Sequence, residues 1–285
     1  LTRQSLLPLL PAGRPTLCLD RDAALIDQQP DTPLDPGNQP DDPIYIIYTS
    51  GTTGQPKGAQ VKHHSFSTLM HWYLREFAFN HDDRVLVISS SSFDLTQKNF
   101  YAPLMVGGQL YLPREGYDPE HYAALIEQHR ITTLNCAPSA FTPLLHVSGQ
   151  PSPQGHLGSL RQLILGGEPI RLQELRPWLQ SLPDGGPCLR NTYGPTECTD
   201  VVAHYSWHLT QDARSEKSSK DGADSANSAD TLPIGRPVDN VRLHVLDARM
   251  QPVPIGVAGE LWIGGDCVGL GYLNRPVLTA ERFLP

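Results

Sequence analysis

Short apolar segments alternate with longer amphipathic ones between residues 84 and 191, and this alternation most constrains the fold. The apolar segments predict buried strands, and the longer ones, with apolar residues at helical spacing, predict helices. The predicted strands are Arg84–Ser89, Gln109–Leu112, Thr132–Asn135, Leu160–Leu165 and Cys188–Asn191, and the helices between them are Gln97–Val106, Glu120–Arg130, Ser139–Val147 and Ile170–Leu182. This order predicts an α/β protein with a mostly parallel sheet wrapped by helices.

The pattern changes after residue 200, where short strands and turns replace the alternation. Residues 201–209, 241–246 and 259–263 predict strands, so we expect a first region at 1–200 and a smaller β-rich subdomain, a distorted barrel, at 201–285. Residues 211–231 contain no large apolar residue. Such a segment cannot offset its ordering entropy by burial, which predicts a disordered loop.

Composition excludes several classes of function. The chain has 285 residues and a net charge of −8, with no run of Lys and Arg that would indicate a nucleic-acid partner. No apolar stretch approaches the roughly 18–20 residues that would span a membrane. The five cysteines are scattered, which favours reduced thiols and a cytoplasmic location over a disulfide scaffold. The chain begins at Leu1 without an initiator Met, and we expect a piece of a longer protein.

A loop of small hydroxylated residues follows the predicted strand Ile44–Ile47. It offers hydroxyl donors, glycines that let backbone N–H groups approach an anion, and one lysine. The residues concerned are Thr49, Ser50, Gly51, Thr52, Thr53, Gly54 and Lys57. It is not a Walker A loop, because Pro56 precedes the lysine and Gly58 follows it. The chemistry predicts a polyphosphate loop, with an ordinary surface turn as the alternative.

Two further loops follow predicted strands, where open α/β sheets place ligands. The segment Asn191–Glu197 offers an aromatic ring for a base, a hydroxyl for a phosphate and a carboxylate for Mg²⁺. The alternative is a Gly-Pro turn with an exposed glutamate. The segment Leu165–Glu168 contains two glycines and also fits a plain strand-to-helix turn.

These three loops, together with the glycine-rich segments 259–265 and 269–276 and the segment 279–283, resemble the motifs of acyl-adenylate-forming (AMP-binding) enzymes in their order along the chain. The resemblance implies the large N-terminal core of the adenylate-forming fold without its C-terminal domain. It implies ATP contacts from Thr49, Ser50, Gly51, Thr52, Thr53, Gly54, Lys57, Gly167, Glu168, Asn191, Tyr193 and Thr196. It also implies that Tyr193 stacks on adenine, that Asn191 bonds the adenine edge, that Glu197 holds Mg²⁺, and that Thr52, Lys57, Thr196 and Glu197 act in catalysis.

Asp94 distinguishes the branches of this family. From its position before a helix, Asp94 fits an N-cap. Amino-acid-activating members, the adenylation domains of nonribosomal peptide synthetases, carry an aspartate here that pairs with the substrate ammonium. Similarity maps the side-chain pocket to Asp94, Lys98, Asn135, Ile164, Gly166, Thr192, Asp200 and Val201. Lys98 and Asp200 either pair with each other or meet a charged substrate group, and both cases predict a polar or ionisable amino acid.

The resemblance implies formation of an aminoacyl-adenylate from ATP, with Mg²⁺, and transfer to the phosphopantetheine thiol of a carrier domain. Carrier and condensation domains of the same synthetase would be the partners. One alternative is an acyl-CoA or aryl-CoA ligase of the same fold, and another is a non-catalytic nucleotide-binding remnant. The family's ribose-binding aspartate and catalytic lysine would lie beyond Pro285, so we expect weak activity from residues 1–285 alone.

Overall fold

The computed structural model describes residues 1–35, 37–50, 54–114, 116–147, 157–182, 186–207 and 231–284. The chain divides into two compact units, residues 1–38 and residues 39–285. The first unit contains a 3-10 helix at Gln4–Leu9 and the short helix α1 at Ala23–Ile26. A single parallel bridge joins Thr2 to Cys18.

The second unit contains the helices and strands that carry the site. Its helices are α2 (His63–Glu76), α3 (Leu95–Met105), α4 (Pro119–His129), α5 (Pro138–Leu145), α6 (Leu172–Ser181) and α7 (Pro276–Arg282). Its strands are β1 (Pro43–Thr49), β2 (Lys57–Lys62), β3 (Arg84–Leu86), β4 (Gln109–Tyr111), β5 (Thr133–Cys136), β6 (Gln162–Gly166), β7 (Cys188–Tyr193), β8 (Ala203–Trp207), β9 (Arg236–Pro237), β10 (Val241–Leu246), β11 (Glu260–Gly265) and β12 (Gly271–Tyr272).

Seven strands form the main sheet in the order β4-β3-β5-β6-β7-β8-β9. The pairs from β4 to β7 are parallel, and β8 and β9 add to the edge in the antiparallel sense. The expected mostly parallel sheet is thus confirmed. Strands β8 and β9 come from the region expected to be a second subdomain, yet they extend this sheet. The boundary at residues 200 and 201 stays a prediction.

The central strand β6 is buried along its whole length, and its side chains alternate between two cores. Leu163 and Leu165 pack with α4, α5 and α6 on one face, in a cluster that includes Trp178. Ile164 packs on the other face with α2, through residues such as Tyr73. Helices therefore cover both faces of the sheet.

The β-rich part consists of two small antiparallel sheets. One has the order β1-β2-β12, and the other is the β10-β11 pair. In the described residues these two sheets share no ladder, so the expected distorted barrel is represented by separate sheets. Strand β2 was not expected, and β1 is an edge strand in which Ile47 is the one buried residue.

Helix ends follow the sequence signals. Asp118 caps α4, where its carboxylate accepts a hydrogen bond from the backbone N–H of Glu120 at 3.2 Å, and Pro119 occupies the first turn. Gly107, with φ at 75°, follows the end of α3.

Of the loop expected at 211–231, residues 211–230 lie outside the described residues, and Thr231 forms a bridge with Arg171. No helix in the described ranges is long and apolar enough to cross a membrane.

Candidate nucleotide and substrate site

The candidate site lies where the parallel strands end. The carboxyl ends of β3, β5, β6 and β7 share one edge of the sheet, because these strands run in parallel. The loop between β11 and β12 contacts both the segment after β7 and strand β2. The N–H of Gly269 bonds the carbonyl of Glu197 at 2.9 Å, and the N–H of Leu270 bonds the carbonyl of Gln60 at 2.9 Å. Ligand-binding loops of open α/β sheets occupy this edge.

The loop between β1 and β2 keeps two of its expected features in the described part. The hydroxyl of Thr49 is buried without a hydrogen-bond partner among the described residues. Gly54 has φ at 77°, a conformation that favours glycine. Ser50 is exposed. Gly51, Thr52 and Thr53 lie outside the described residues, so their expected ATP contacts stay predictions.

Lys57 at the start of β2 meets Glu197, 140 positions later in the chain. The Nζ of Lys57 lies 2.9 Å from Oε1 of Glu197 and 2.7 Å from the hydroxyl of Tyr272. The Tyr272 hydroxyl donates to the same Oε1 at 2.5 Å. The Lys57 ammonium also lies 4.5 Å from the centroid of the Tyr272 ring. The expected phosphate lysine and the expected Mg²⁺ ligand are thus joined through a tyrosine.

The pKa values of these groups reflect their contacts. Burial opposes charge on Glu197, but the hydrogen bonds from Tyr272 and Lys57 hold its pKa below the usual range. Burial likewise opposes charge on Lys57, and the same contacts raise the pKa of Lys57 above its usual value. Burial and the bond to Glu197 raise the pKa of Tyr272. Lys57 and Glu197 are therefore ionised, and Tyr272 is a neutral donor, near pH 7.

Tyr272 was not among the expected site residues, although it lies in a glycine-rich segment that resembles one of the family motifs. Strand β12 pairs it with Ala59 of β2, two residues after Lys57. The N–H of Tyr272 bonds the hydroxyl of Thr279 at 3.0 Å, and its ring meets Phe283 edge-on. Its place beside the phosphate loop depends on this non-local pairing.

The residues expected around adenine differ in their availability. Tyr193 is 38% exposed at the end of β7, which leaves its ring open to a stacking partner. The side-chain amide of Asn191 instead bonds the carbonyls of Leu232 at 3.2 Å and Pro233 at 2.8 Å. These bonds link β7 to the chain leading into β9 and engage the amide expected at the adenine edge. Thr196 begins a 3-10 turn that also contains Glu197.

The two glycines after β6 have different surroundings. A Cβ on Gly166 would lie 2.6 Å from the hydroxyl of Thr192 and 2.9 Å from its carbonyl oxygen, so only glycine fits beside that residue. Gly167 has φ at 81° and open space where a side chain would be. Glu168 faces helix α5, where its carboxylate accepts hydrogen bonds from the hydroxyl of Ser139 at 2.7 Å and its N–H at 3.0 Å. Its expected ATP contact therefore competes with a capping role.

Asp94 caps α3, as its spacing indicated. Its carboxylate accepts a hydrogen bond from the N–H of Leu95 at 2.8 Å and is half-buried. The same carboxylate acts electrostatically on Lys98, one turn further along the helix, and on the buried hydroxyl of Tyr45. The Asp94 carboxylate therefore interacts with Lys98 and Tyr45 as well as capping α3.

Lys98 and Asp200 contact each other as an ion pair. Lys98 is fully buried and Asp200 is 8% exposed. Burial lowers the pKa of Lys98 to about 7, while the negative charge of Asp94 acts in the opposite direction. The contacting carboxylate of Asp200 also favours the ammonium form. Of the two arrangements that the sequence allowed, the structure has the one in which these side chains pair.

Three further residues of the expected pocket are buried: Asn135, Ile164 and Val201. Ile164 and Val201 are buried in one apolar cluster with Tyr73, whose ring centroid lies 5.7 Å from the Lys98 ammonium. Asn135 is fully buried and bonds the side chain of Asn99 at 2.9 Å through its amide nitrogen. The amide oxygen of Asn135 has no hydrogen-bond partner among the described residues.

The groups present suit a magnesium nucleotide. Mg²⁺ takes few protein ligands, usually carboxylates, along with phosphate oxygens and water, and Glu197 is an ionised, half-buried carboxylate. Phosphates need donors, and Thr49 offers a buried hydroxyl without a partner in the described part of the chain. An adenine ring needs an apolar face, which Tyr193 exposes.

Comparisons with known proteins agree with this architecture. The sequence profile of the AMP-binding enzymes matches residues 3–273. Indigoidine synthase of Dickeya dadantii (strain 3937) is 36% identical over 289 residues, which cover 99% of this chain and 18% of the synthase. The AMPPNP-bound crystal structure of the nonribosomal peptide synthetase FmoA3 superimposes with a TM-score of 0.82 at 28% identity, over 99% of this chain and 28% of that one. Its α-methyl-L-serine-AMP-bound form gives 0.81 at 27% identity, over 99% of this chain and 30% of that one.

The helix-covered parallel sheet and its small antiparallel companions define the class: an adenylate-forming α/β fold. Within that class, the chain belongs to the AMP-binding enzyme family. It spans 18% of indigoidine synthase and 28% of the AMPPNP-bound FmoA3 chain.

Proposed function

We propose that this chain activates an amino acid with ATP and Mg²⁺ as part of a nonribosomal peptide synthetase adenylation domain in the cytoplasm. The substrate carboxylate attacks the α-phosphorus of ATP, an aminoacyl-adenylate forms and pyrophosphate leaves. The acyl group then passes to the phosphopantetheine thiol of a carrier domain. A condensation domain of the same synthetase would use the loaded carrier.

The charge of the pocket carries the proposal that the substrate is an amino acid. Two carboxylates, Asp94 and Asp200, act on one buried ammonium, that of Lys98. Asp200 contacts the ammonium directly, which leaves Asp94 as the carboxylate in excess. A partly buried carboxylate is stabilised by a cation that reaches it. The α-ammonium of an amino acid supplies that cation, and a fatty or aryl acid does not.

The nucleotide end supports the same reaction through its own residues. Lys57 would move from Glu197 to a phosphate oxygen, and Glu197 would hold Mg²⁺. When bound, Mg²⁺ neutralises charge that develops on the phosphates. Tyr193 would orient the base, while the hydroxyls of Thr196 and Thr49 would donate to phosphate oxygens. Catalysis of this transfer depends on position and charge stabilisation.

ATP–pyrophosphate exchange with a panel of amino, aryl and fatty acids tests the proposal. The assay should use the complete polypeptide that carries this chain. Exchange driven by amino acids is the expected result. Replacing Asp94 by Ser keeps an N-cap hydroxyl but removes the charge, and we expect about 100-fold less exchange from the loss of a buried ionic partner.

The alternatives give different results in this assay. Exchange driven by aryl or fatty acids, unchanged in the Asp94→Ser variant, would indicate a CoA ligase. Nucleotide binding without any exchange would indicate a non-catalytic nucleotide-binding protein. A control variant, Asp118→Ser, makes the same change at the capping aspartate of α4, which is not one of the expected site residues. It should leave exchange unaltered.

A further inference from the structure

A buried ion pair lies beside apolar side chains, among the residues that the resemblance assigns to the substrate pocket. The Lys98 ammonium contacts Asp200 and lies over the ring of Tyr73. Ile164 and Val201, which belong to the same apolar cluster as Tyr73, are also fully buried. In such surroundings a separated charge is strongly unfavourable, because water cannot solvate it.

The backbone holds Asp200 in this place. Thr199 and Asp200 have φ values of 58° and 69°, in the left-handed region that side-chain-bearing residues seldom adopt. The hydroxyl of Thr199 bonds the carbonyl of Cys267 at 2.7 Å, and the N–H of Val201 bonds the carbonyl of Thr199 at 2.9 Å. Two consecutive strained residues persist only where their surroundings enforce them, and such strain is often found at ligand sites.

The charge balance limits what the substrate side chain can carry. Given the proposed function, on which this step rests, the substrate ammonium neutralises Asp94, while Lys98 and Asp200 neutralise each other. A further charge on the substrate would then have no partner. An acidic side chain could reach Lys98 only by separating it from Asp200, and a basic one could reach Asp200 only by displacing Lys98. Each exchange leaves one buried charge uncompensated.

The pocket also contains polar atoms that an apolar side chain would leave unsatisfied. The amide oxygen of Asn135, a fully buried residue, and the buried hydroxyl of Tyr45 lack partners within the described residues. The amide nitrogen of Asn135 is already engaged by Asn99 and by the carbonyl of Leu95 at 3.2 Å. The free amide oxygen therefore needs a hydrogen-bond donor.

We propose that the adenylation substrate is an amino acid with an uncharged, hydrogen-bonding side chain, a hydroxyl or an amide. The Lys98–Asp200 pair excludes acidic and basic side chains. The Asn135 amide oxygen accepts a hydrogen bond from the substrate hydroxyl or amide. The pair acts on specificity through the electrostatics of the pocket, with both its charges retained in the complex.

Charge variants of the pair test this proposal through opposite changes in specificity. Exchange should be measured with Ser, Thr, Asn and Gln, with Asp, Glu, Orn and Lys, and with Leu and Phe. Lys98→Gln leaves Asp200 unpaired, so basic amino acids should gain about tenfold or more over neutral ones. Asp200→Asn leaves Lys98 unpaired, so acidic amino acids should gain about as much. Asparagine tolerates the left-handed backbone at this position.

The double variant Lys98→Gln, Asp200→Asn is the matched control. It removes both charges, and the preference for neutral polar side chains should return. Wild-type protein that prefers a charged amino acid, or Leu or Phe, would overturn this inference while leaving the proposed function intact. Exchange with no amino acid at all would overturn the proposed function and this inference with it. Single variants with unchanged specificity would show a purely structural pair and would also overturn the inference.

A second measurement needs no variant and guards against loss of folding. Non-hydrolysable aminoacyl-sulfamoyl adenosines bind in place of the adenylate, and their affinities for the wild-type protein follow from titration calorimetry. The seryl and asparaginyl compounds should bind at least about tenfold more tightly than the glutamyl and ornithyl compounds. Equal affinity across the four, or tighter binding of a charged one, contradicts the proposal.

Discussion

The two lysine–carboxylate pairs of the site differ in burial and in their partners. The side chains of Lys57 and Glu197 are 21% and 20% exposed, and Tyr272 bonds to both. Those of Lys98 and Asp200 are 1% and 10% exposed and lie against apolar groups. The first pair is reached by solvent, at the end proposed to bind the nucleotide, and the second is enclosed, at the end proposed to bind the substrate side chain.

The difference in burial indicates which of the two ion pairs a bound ligand can separate. Partly hydrated ions can exchange one partner for another at low cost, because water and the incoming charges compensate them. Under the proposed function, a phosphate would take the place of Glu197 beside Lys57, and Mg²⁺ would take the place of Lys57 beside Glu197. Separation of a buried pair needs an equal compensation delivered inside the core, which a single substrate charge does not provide. We therefore expect the first pair to open during turnover and the second to persist.

The largest expected effect is on the stability of the buried pair. Replacing Lys98 by Met keeps the length of the side chain but leaves the Asp200 carboxylate uncompensated. We expect the free energy of unfolding to fall by about 3–5 kcal/mol. Chemical denaturation monitored by circular dichroism measures this change.

A double variant sharpens the measurement. Lys98→Met with Asp200→Asn removes both charges and should recover part of the lost stability, since no uncompensated ion is left in the core and only a neutral amide must be buried. A single variant as stable as wild type would mean that Asp200 is well hydrated without its lysine. In that case the contrast between the two pairs would be wrong.

Much of the fold followed from local sequence patterns. Strands β3 to β7 and helices α3 to α6 were predicted within a few residues of their observed bounds, because each has its own apolar periodicity. Strand β2 was missed. Its sequence from Lys57 to Lys62 has one β-branched residue, Val61, and it forms because β1 and β12 pair with it from both sides. Such pairing with a segment more than 200 positions away leaves no local signal.

The sequence predicted which residues belong to the candidate site better than it predicted which of them contact each other. Sequence patterns identified Lys57, Glu197, Lys98 and Asp200 but left open which of them meet. Tyr272 was missed as a site residue because it lies 215 positions from Lys57 and is placed only by the β2–β12 ladder. Short polar side chains such as Asn191 and Glu168 each fit two roles, and only coordinates show which partner they bond.

A smaller loss of stability is expected when the Lys57–Glu197 pair is changed, and this loss should depend on pH. Glu197→Gln keeps the shape of the side chain and removes its charge, so we expect about 1–3 kcal/mol of lost stability near neutral pH. The folded-state pKa of Glu197 is lowered and that of Lys57 is raised. The contribution of the pair is therefore lost as pH falls through the Glu197 pKa or rises through the Lys57 pKa.

Unfolding titrations across a pH series measure that dependence. The difference between wild type and Glu197→Gln should be constant from about pH 5 to about pH 10 and should shrink below and above this window. A difference that instead grows as pH falls toward 4 would contradict the direction assigned to the Glu197 pKa. Asp239→Asn, which removes an exposed partner of Arg75, is the control, and its effect should stay within about 1 kcal/mol.

The smallest expected effect comes from the Tyr272 hydroxyl, which bonds both members of the partly exposed pair Lys57–Glu197. Tyr272→Phe keeps the ring over the Lys57 ammonium and its edge contact with Phe283, but removes the hydrogen bonds to Lys57 and Glu197. We expect about three- to tenfold lower kcat in exchange, with KM for the amino acid unchanged, from the loss of about 0.5–1.5 kcal/mol of positioning. Tyr48→Phe changes a 63% exposed tyrosine of the same small sheet and should leave the rate unchanged. If Tyr272→Phe instead raised KM for the amino acid alone, Tyr272 would act at the buried end, and the separation between the two pairs would fail.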